Sequence, residues 1–442
     1  MPFEALTLGQ LPGIKNLRNA GKVAVVGGGI SGMSAAHMLC KTHRVTLFET
    51  ESRLGGHART KIAGKRGDQP VDTGFIVFNN ANYPFMTALF DDLGVPVVKS
   101  NMSFGASING GEFEYALTSL NALFAQRRNA VSPAFLRMVR DIFRFNQNAV
   151  RVAKDESLSL QELLDALGTG DWFRDRYLIP LSGAIWSTPA EKIMDFPAYA
   201  LVRFFENHAL LRTTGQHQWY TVDGGSTQYV QRLETALNAA GTDVRLGAGV
   251  QSVRRMGGKV FLRAWGGEEE VFDHVVMATH SDDSLSLLSD ASPQEQRALG
   301  AIRYQPNDIV LHADENIMPL NRKTWASWVY TEDRAAPSDR IDLTYWMNSL
   351  QPIPDDDPHF VTLNTKRNIR EELIYDQVTL RHPVYDLGAL AAQKEVAAFN
   401  GAQNTWFCGA WMKNGFHEDG LSSAVDVARA LYKCERAKVT AA

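Results

Sequence analysis

The chain has 442 residues, with 45 Lys and Arg against 49 Asp and Glu for a formal charge of −4, which argues against a nucleic-acid partner held by a basic surface. Hydrophobic residues at 45% and charged residues at 21% allow a sizeable core and exclude disordered, collagenous and low-complexity readings. The three cysteines, Cys40, Cys408 and Cys434, form neither a disulfide framework nor a C-x-x-C metal site, so no metal is expected and a reduced, cytoplasmic compartment is.

In chain order, the first 21 residues carry Lys15 and Arg18 but no apolar signal-peptide core. KVAVVGGGISGMSAAHML then reads as strand, turn and helix, with G-x-G-x-x-G at Gly27, Gly29 and Gly32. Gly27 permits the tight turn, Gly29 lets a pyrophosphate approach the backbone, and Gly32 lets the helix pack closely on the strand. The same glycines break the uncharged run from Val23 to Cys40, which therefore cannot be a membrane span. A second strand, RVTLFE, ends at Glu49, whose carboxylate suits ribose hydroxyls.

The following segment, ETESRLGGHART, with Arg53, Gly55 and Gly56, resembles the second glycine motif of the FAD-dependent amine oxidase, protoporphyrinogen oxidase and phytoene desaturase superfamily. TWFCGAWMKNGFHEDGLSSAVDVARAL, with Gly409 and Gly420, resembles its closing motif. The resemblance implies FAD rather than NAD, bound non-covalently, because Cys408 sits inside the closing strand and no cysteine stands at the covalent attachment position. It implies cofactor contacts from Gly27, Gly29, Ile30, Ser31 and Gly32, from Glu49 and Thr50, and from Arg53, Gly55, Gly56 and His57. Further contacts are expected from Gly74, Phe75 and Ile76, from Val250 and Thr279, and from Gly409, Asp419, Gly420 and Leu421. A helix starting near Leu421 would direct its positive end at the flavin N1 and C2=O. Two positions depart from the pattern: His57 replaces a frequent arginine, and Ala410 a frequent acid.

Residues 81–215 read as mainly helical, with a capping box at Ser159 and Glu162 and breaks at Pro133, Pro180, Pro189 and Pro197. Between Leu120 and Lys154, Arg127, Arg128, Arg137, Arg140, Arg144, Arg151 and Lys154 face a single acid, Asp141, and interleave with Phe124, Phe135, Phe143 and Phe145. That composition suits peripheral contact with an anionic membrane, at roughly 1 kcal/mol per basic residue near the surface. The alternative is a solvated basic face with its phenylalanines turned inward.

Next come the strands DVRL, VQSVRRM, KVFLRAW, EEVF and DHVVMAT, with two-residue turns at Gly257-Gly258 and Gly266-Gly267. Residues 292–400 are rich in strands and aromatics. His312 and Asp314 share one strand face in VLHAD, as do Trp328 and Tyr330, and Tyr345 and Met347. His312, Trp328, Tyr330 and Tyr345 are candidates for a substrate pocket, the alternative being plain core. The expected fold class is α/β with α+β insertions: a Rossmann-like FAD-binding domain of the amine-oxidase type from residues 1–80, 216–291 and 401–442. A substrate domain of mixed sheet and helices, 81–215 and 292–400, is interleaved with it.

The segments FIVFNNANYPFM, IPLSGAIWSTP, TVDGGSTQYVQRL, VLHAD, TYWMNSLQ and GFHEDGL together resemble a bacterial subgroup of that superfamily. Its members are associated with cyclopropane-fatty-acid-synthase-like methyltransferases, and one branch is similar to the methyl fatty acid desaturases of furan fatty acid synthesis. The resemblance implies a lipid or fatty acyl substrate, desaturation with hydride transfer to flavin N5, and partnership with a fatty-acid methyltransferase, while the basic segment suggests a place at the inner membrane face. His417 falls where amine oxidases carry a cage tyrosine and is a candidate general base, with Glu418 orienting it or capping a helix. A capping or phosphate-binding role for His417 stays open. So do three other readings of the whole: a flavin amine oxidase, a carotenoid or porphyrinogen desaturase, and a non-catalytic FAD-bound partner of a methyltransferase.

Overall fold

The computed structural model describes residues 1–9, 21–155, 157–186, 193–212, 215–335, 338 and 340–441, so the expectations at Lys15, Arg18 and Pro189 lie outside the described residues. Five parallel strands form the first sheet, in the order Asp243–Arg245, Arg44–Phe48, Lys22–Val26, His274–Met277 and Thr405–Phe407. The central strand is buried from Val23 to Val26, the continuous apolar run that a sheet covered on both faces requires. Val23 and Val25 pack with the helices Ile30–Leu39, Thr227–Ala239 and His417–Ala441. Ala24 and Val26 pack with the antiparallel strands Val250–Met256, Lys259–Ala264 and Glu269–Phe272. Gly257 and Gly258 both take positive φ between the paired Met256 and Lys259, as a two-residue turn demands. The second turn is wider than expected: strand Lys259–Ala264 and strand Glu269–Phe272 are joined by residues 265–268.

The second sheet has seven strands, in the order Ile374–Val384, Arg303–His312, Phe360–Leu363, Asp342–Trp346, Trp328–Glu332, Phe104–Ile108 and Phe113–Ala116. Both interleaved stretches feed it, joined by the parallel pairing of Trp328–Glu332 with Phe104–Ile108. Helices Pro133–Val152, Leu160–Leu167 and Ala198–Asn207 share its core, and the capping box of Ser159 and Glu162 is formed. The domain boundaries differ from the sequence division. Helix Pro84–Leu93 buries Met86, Leu89 and Phe90 in the core of the first sheet, and helix Leu387–Phe399 buries Ala389, Ala392 and Val396 beneath the antiparallel strands.

The basic segment is broken into a short helix (Leu120–Leu123), a 3-10 turn (Arg127–Val131) and the long helix capped by Ser132. Phe135 and Phe145 turn inward, while Leu136 and Phe143 remain exposed. Asp141 is buried and accepts a hydrogen bond from the Gly170 N–H. The outward face of the long helix therefore carries arginines and no acid. Among the described residues, no helix is long and apolar enough to cross a membrane.

Candidate active site

A groove of about 590 Å³ runs along the carboxyl end of the first sheet. Gly27, at φ +106°, turns the chain out of its strand, and a Cβ on Gly32 would lie 1.8 Å from the Gly27 carbonyl, so only glycine permits that helix approach. A Cβ on Gly29 would meet nothing within 4 Å: it would point into open groove. Gly29 also caps helix Ile30–Leu39 with no side-chain partner, leaving first-turn N–H groups for an anion. Glu49 is held by hydrogen bonds from Gly28 N–H (2.6 Å) and Glu51 N–H (2.8 Å) at the groove wall. The Gly55 N–H donates to the Gly28 carbonyl at 2.9 Å, which brings the two glycine motifs together. Ile30, Ser31, Thr50, Gly56, His57, Val250, Thr279 and Gly409 complete much of the lining. An open pyrophosphate cradle with a ribose-binding acid beside it fits FAD.

Several expected cofactor contacts are placed elsewhere. Arg53 donates to the carbonyls of Gly56 (2.9 Å) and Ala58 (3.1 Å) and pairs with Glu51, so it clamps the second glycine loop instead of lining the groove. The closing helix starts at His417, not near Leu421. Leu421 is fully buried, and Gly420 packs so closely that a Cβ would lie 2.8 Å from Ser31 Oγ. The Asp419 carboxylate accepts from the Phe416 N–H at 2.9 Å, securing the turn before that helix. Gly74, Phe75 and Ile76 line a second cavity, of about 230 Å³, that adjoins the groove.

His57, His382 and His417 border both spaces, and Trp328 and Tyr345 stand in the far wall as a cross-strand pair with ring centroids 5.4 Å apart. Across Tyr83, Met102, Ile185, Trp219, Trp328 and Phe416 lies an outer chamber of about 370 Å³, bounded by Leu117 and Thr118. No Asp, Glu, Lys or Arg among the described residues lines either the cavity or the chamber.

His417 stacks on Phe75 at 4.1 Å, and its Nε2 lies 2.6 Å from the Tyr229 hydroxyl. Tyr229 is buried and its hydroxyl has no other acceptor among the described residues, so the phenol donates, Nε2 accepts and the imidazole proton sits on Nδ1. Burial, then the neighbouring His57, pushes the His417 pKa down to about 3. The imidazole is thus neutral with its lone pair engaged, which corrects the expected base role: it can donate from Nδ1 but is not poised to accept near pH 7.

Glu418 is corrected too. Its two oxygens accept from the Phe85 and Met86 N–H groups, both at 2.9 Å, so it caps helix Pro84–Leu93 and touches neither cavity. His312 is buried away from the cavity, between Thr362 Oγ1 (2.8 Å) and the Asp314 N–H (3.1 Å). Tyr330 packs in the core of the second sheet. Of the four residues expected in the substrate pocket, Trp328 and Tyr345 are there.

His382 was not singled out by sequence reasoning. The Asp308 N–H donates to Asn364 Oδ1 (2.9 Å), Asn364 Nδ2 to Asn307 Oδ1 (2.8 Å), and Asn307 Nδ2 to His382 Nδ1 (2.8 Å). This chain, anchored on the backbone, fixes the Asn307 amide and leaves the His382 proton on Nε2, at the meeting of groove and cavity. Burial lowers its pKa to about 3. His57 stands edge-on to His382 (5.6 Å) and to His280 (5.8 Å). His280, Asp282 and Asp283 come close enough together to suggest a cation site, but Arg381 already bonds both carboxylates.

Comparison with known proteins places this geometry. Residues 30–324 match the model of the flavin-containing amine oxidoreductase family. A 56-residue stretch is 45% identical to an L-amino-acid oxidase of Vipera ammodytes ammodytes, but that match spans 12% of the relative's length. The whole fold is similar to a CLA-producing fatty acid isomerase from P. acnes, with TM-score 0.67, 15% identity, and coverage of 93% of this chain and 98% of that one. It is equally similar to cyclohexylamine oxidase from Brevibacterium oxydans, with TM-score 0.68, 14% identity, and coverage of 93% and 99%. At such identities the likeness establishes the fold and leaves the substrate open.

Proposed function

Given that this chain belongs to the flavin-containing amine oxidoreductase family and is an FAD-dependent oxidoreductase, we propose that it desaturates a methyl-branched unsaturated fatty acyl chain to a conjugated diene. The observation that carries this reading is the absence of ionisable Asp, Glu, Lys and Arg side chains from the described walls of both cavity and chamber. An amino acid or polyamine needs a counter-charge, and a buried charge left unpaired is expensive. At the position where a cage tyrosine is expected stands His417, one ring face of which is covered by Phe75. An acyl chain needs only apolar walls, which Ile76, Ile185, Trp328, Tyr345, Leu363 and Leu380 supply.

FAD supplies the hydride acceptor. The substrate loses a hydride from one carbon flanking its double bond and a proton from the other. The methyl group makes the intervening cation tertiary as well as allylic, the reason a fatty-acid methyltransferase would act before this step. A C–H beside such a cation is so acidic that a weak base suffices; with the acceptor nitrogens of His382 and His417 engaged, the neutral imidazole of His57 takes the proton, and among the described residues no carboxylate lines the cavity. His382 Nε2–H and His417 Nδ1–H serve as fixed donors that orient groups at the mouth of the groove, and Trp328 and Tyr345 keep water from the reacting carbons. The electrons return to O₂, and the diene is a step toward furan fatty acids. The test is turnover in air with phospholipid bearing methyl-branched unsaturated chains, followed by mass spectrometry of the released acyl groups. Loss of two hydrogens per chain supports the reading; an isomer of unchanged mass, or oxidation confined to amines, overturns it.

A further inference from the structure

Beside the basic helix, and separate from the cavities above, is a recess of about 280 Å³ at the start of Pro133–Val152. Arg176 lies in it with its guanidinium stacked 4.2 Å from the centroid of Trp172 and 5.0 Å from that of Phe113. It sits on a π-helical turn, Arg174–Leu178, a distortion common at functional sites, and has no carboxylate within ion-pair distance among the described residues. Arg128, on the opposite wall, spends one nitrogen on the Glu112 carbonyl. Asn129 is 4% exposed, lines the recess, and its Nδ2 has no partner among the described residues. Ser132 caps the long helix here, so the positive end of the helix faces the same space. Glu112 also lines the recess, its carboxylate accepting from Asn109 Nδ2 at 3.0 Å, and with Glu332 and Asp175 it is a nearby negative charge for Arg176.

An unpaired guanidinium, a second arginine, a buried amide donor without an acceptor and a helix N-terminus form a site for an anion with several oxygens. The surroundings say where that anion resides. Val131 is 81% exposed, and Leu136 and Phe143 stand out among Arg137, Arg140, Arg144 and Arg151 on the outward helix face. Leu120 is 77% exposed, close in sequence to Leu117 and Thr118 at the edge of the outer chamber. We propose that the recess binds the phosphate of an anionic phospholipid and seats this face on a membrane, with the chamber opening toward the lipid. The site stands whether or not the reacting substrate is an acyl chain.

The experiment measures partition of the FAD-loaded protein onto vesicles of phosphatidylglycerol in phosphatidylcholine, with phosphatidylcholine alone as reference and glycerol 3-phosphate as a soluble competitor. The double variant R128Q/R176Q is compared with R144Q/R151Q, which removes equal charge from the same face outside the recess, and with N129L, which removes none. Bound-flavin absorbance confirms that each variant folds. Binding to the anionic vesicles is expected to fall about tenfold further for R128Q/R176Q than for R144Q/R151Q, where roughly 1 kcal/mol per basic residue acts without a site, and to fall for N129L as well. Equal losses in the two double variants, or full binding by N129L, overturn the site. Binding of glycerol 3-phosphate in the recess without vesicle binding overturns the membrane as the source.

Discussion

The two sheets of this molecule carry function in different ways. In the dinucleotide unit the working parts are backbone groups and glycines a few residues apart, and the geometry follows from the motif: Gly32 must touch the Gly27 carbonyl, while Gly29 must face empty groove. In the seven-stranded unit the working parts are side chains whose direction is decided by strand pairing across long stretches of sequence. His312 and His382 lie on adjacent paired strands, yet His312 is sealed against Thr362 while His382 faces the cavity through a relay from Asn307, far earlier in the chain. A local motif announces its own geometry, whereas a cavity side chain is defined only after the sheet has assembled.

The sharpest way to break that comparison is at the glycines. Gly29→Val is expected to abolish FAD binding, giving colourless protein with native far-UV circular dichroism, because the new side chain occupies only the groove. Gly32→Ala instead drives a methyl group into backbone and is expected to destabilise the fold by about 3 kcal/mol or more in chemical denaturation. If both variants lost only FAD, or both only stability, the division of roles between the two glycines would be wrong.

The cavity imidazoles come next. His280, His382 and His417 each have folded pKa values pushed to about 3 by burial, below the unfolded value of 6.5. Between those values the unfolded chain binds more protons, so these groups add stability above pH 6.5 and lose it progressively as pH falls through 6.5 toward 3. Asp72 and Asp419, raised to about 6, and Glu418, raised to about 7, act in the opposite direction, since their protonated forms favour the folded state. Melting temperatures of the wild type and of His382→Phe/His417→Phe, compared from pH 7.5 to 5, separate the two sets: the variant should lose less stability on acidification. A parallel decline would mean that these imidazoles are not held neutral.

The smallest effect concerns Glu418. Glu418→Ala should lower stability by about 1 kcal/mol through loss of the cap on helix Pro84–Leu93. The rate of flavin reduction should not change, and a large fall in that rate would return Glu418 to the catalytic set.

What could be read in advance follows the same line. The G-x-G-x-x-G loop, Glu49, the second glycine pair and Gly409 were legible because each depends on neighbours in sequence, whereas Gly420 serves the packing of the closing helix on Ser31. Arg53 and Glu418 were misplaced because a charged residue beside a motif can as easily serve the loop or a helix end as the ligand, and only the acceptor or donor it meets decides. Trp328 and Tyr345 were placed by alternation, but the same alternation put Tyr330 in the pocket, whereas it is packed into the core that the sheet shares with its helices. His382 left no local sign, since its partner Asn307 reaches it only through the pairing of Arg303–His312 with Ile374–Val384.

The central claim is that a cavity whose described walls carry no Asp, Glu, Lys or Arg presents an acyl chain to the flavin. The direct measurement is the anaerobic visible spectrum of the FAD-loaded protein on mixing with phospholipid vesicles containing methyl-branched unsaturated chains, beside a panel of amines and amino acids. The account predicts bleaching of the oxidised flavin bands by the lipid, slowed in Trp328→Ala, and persistence of the yellow colour with every amine. Bleaching by an amine or amino acid while the lipid leaves the spectrum unchanged would contradict it.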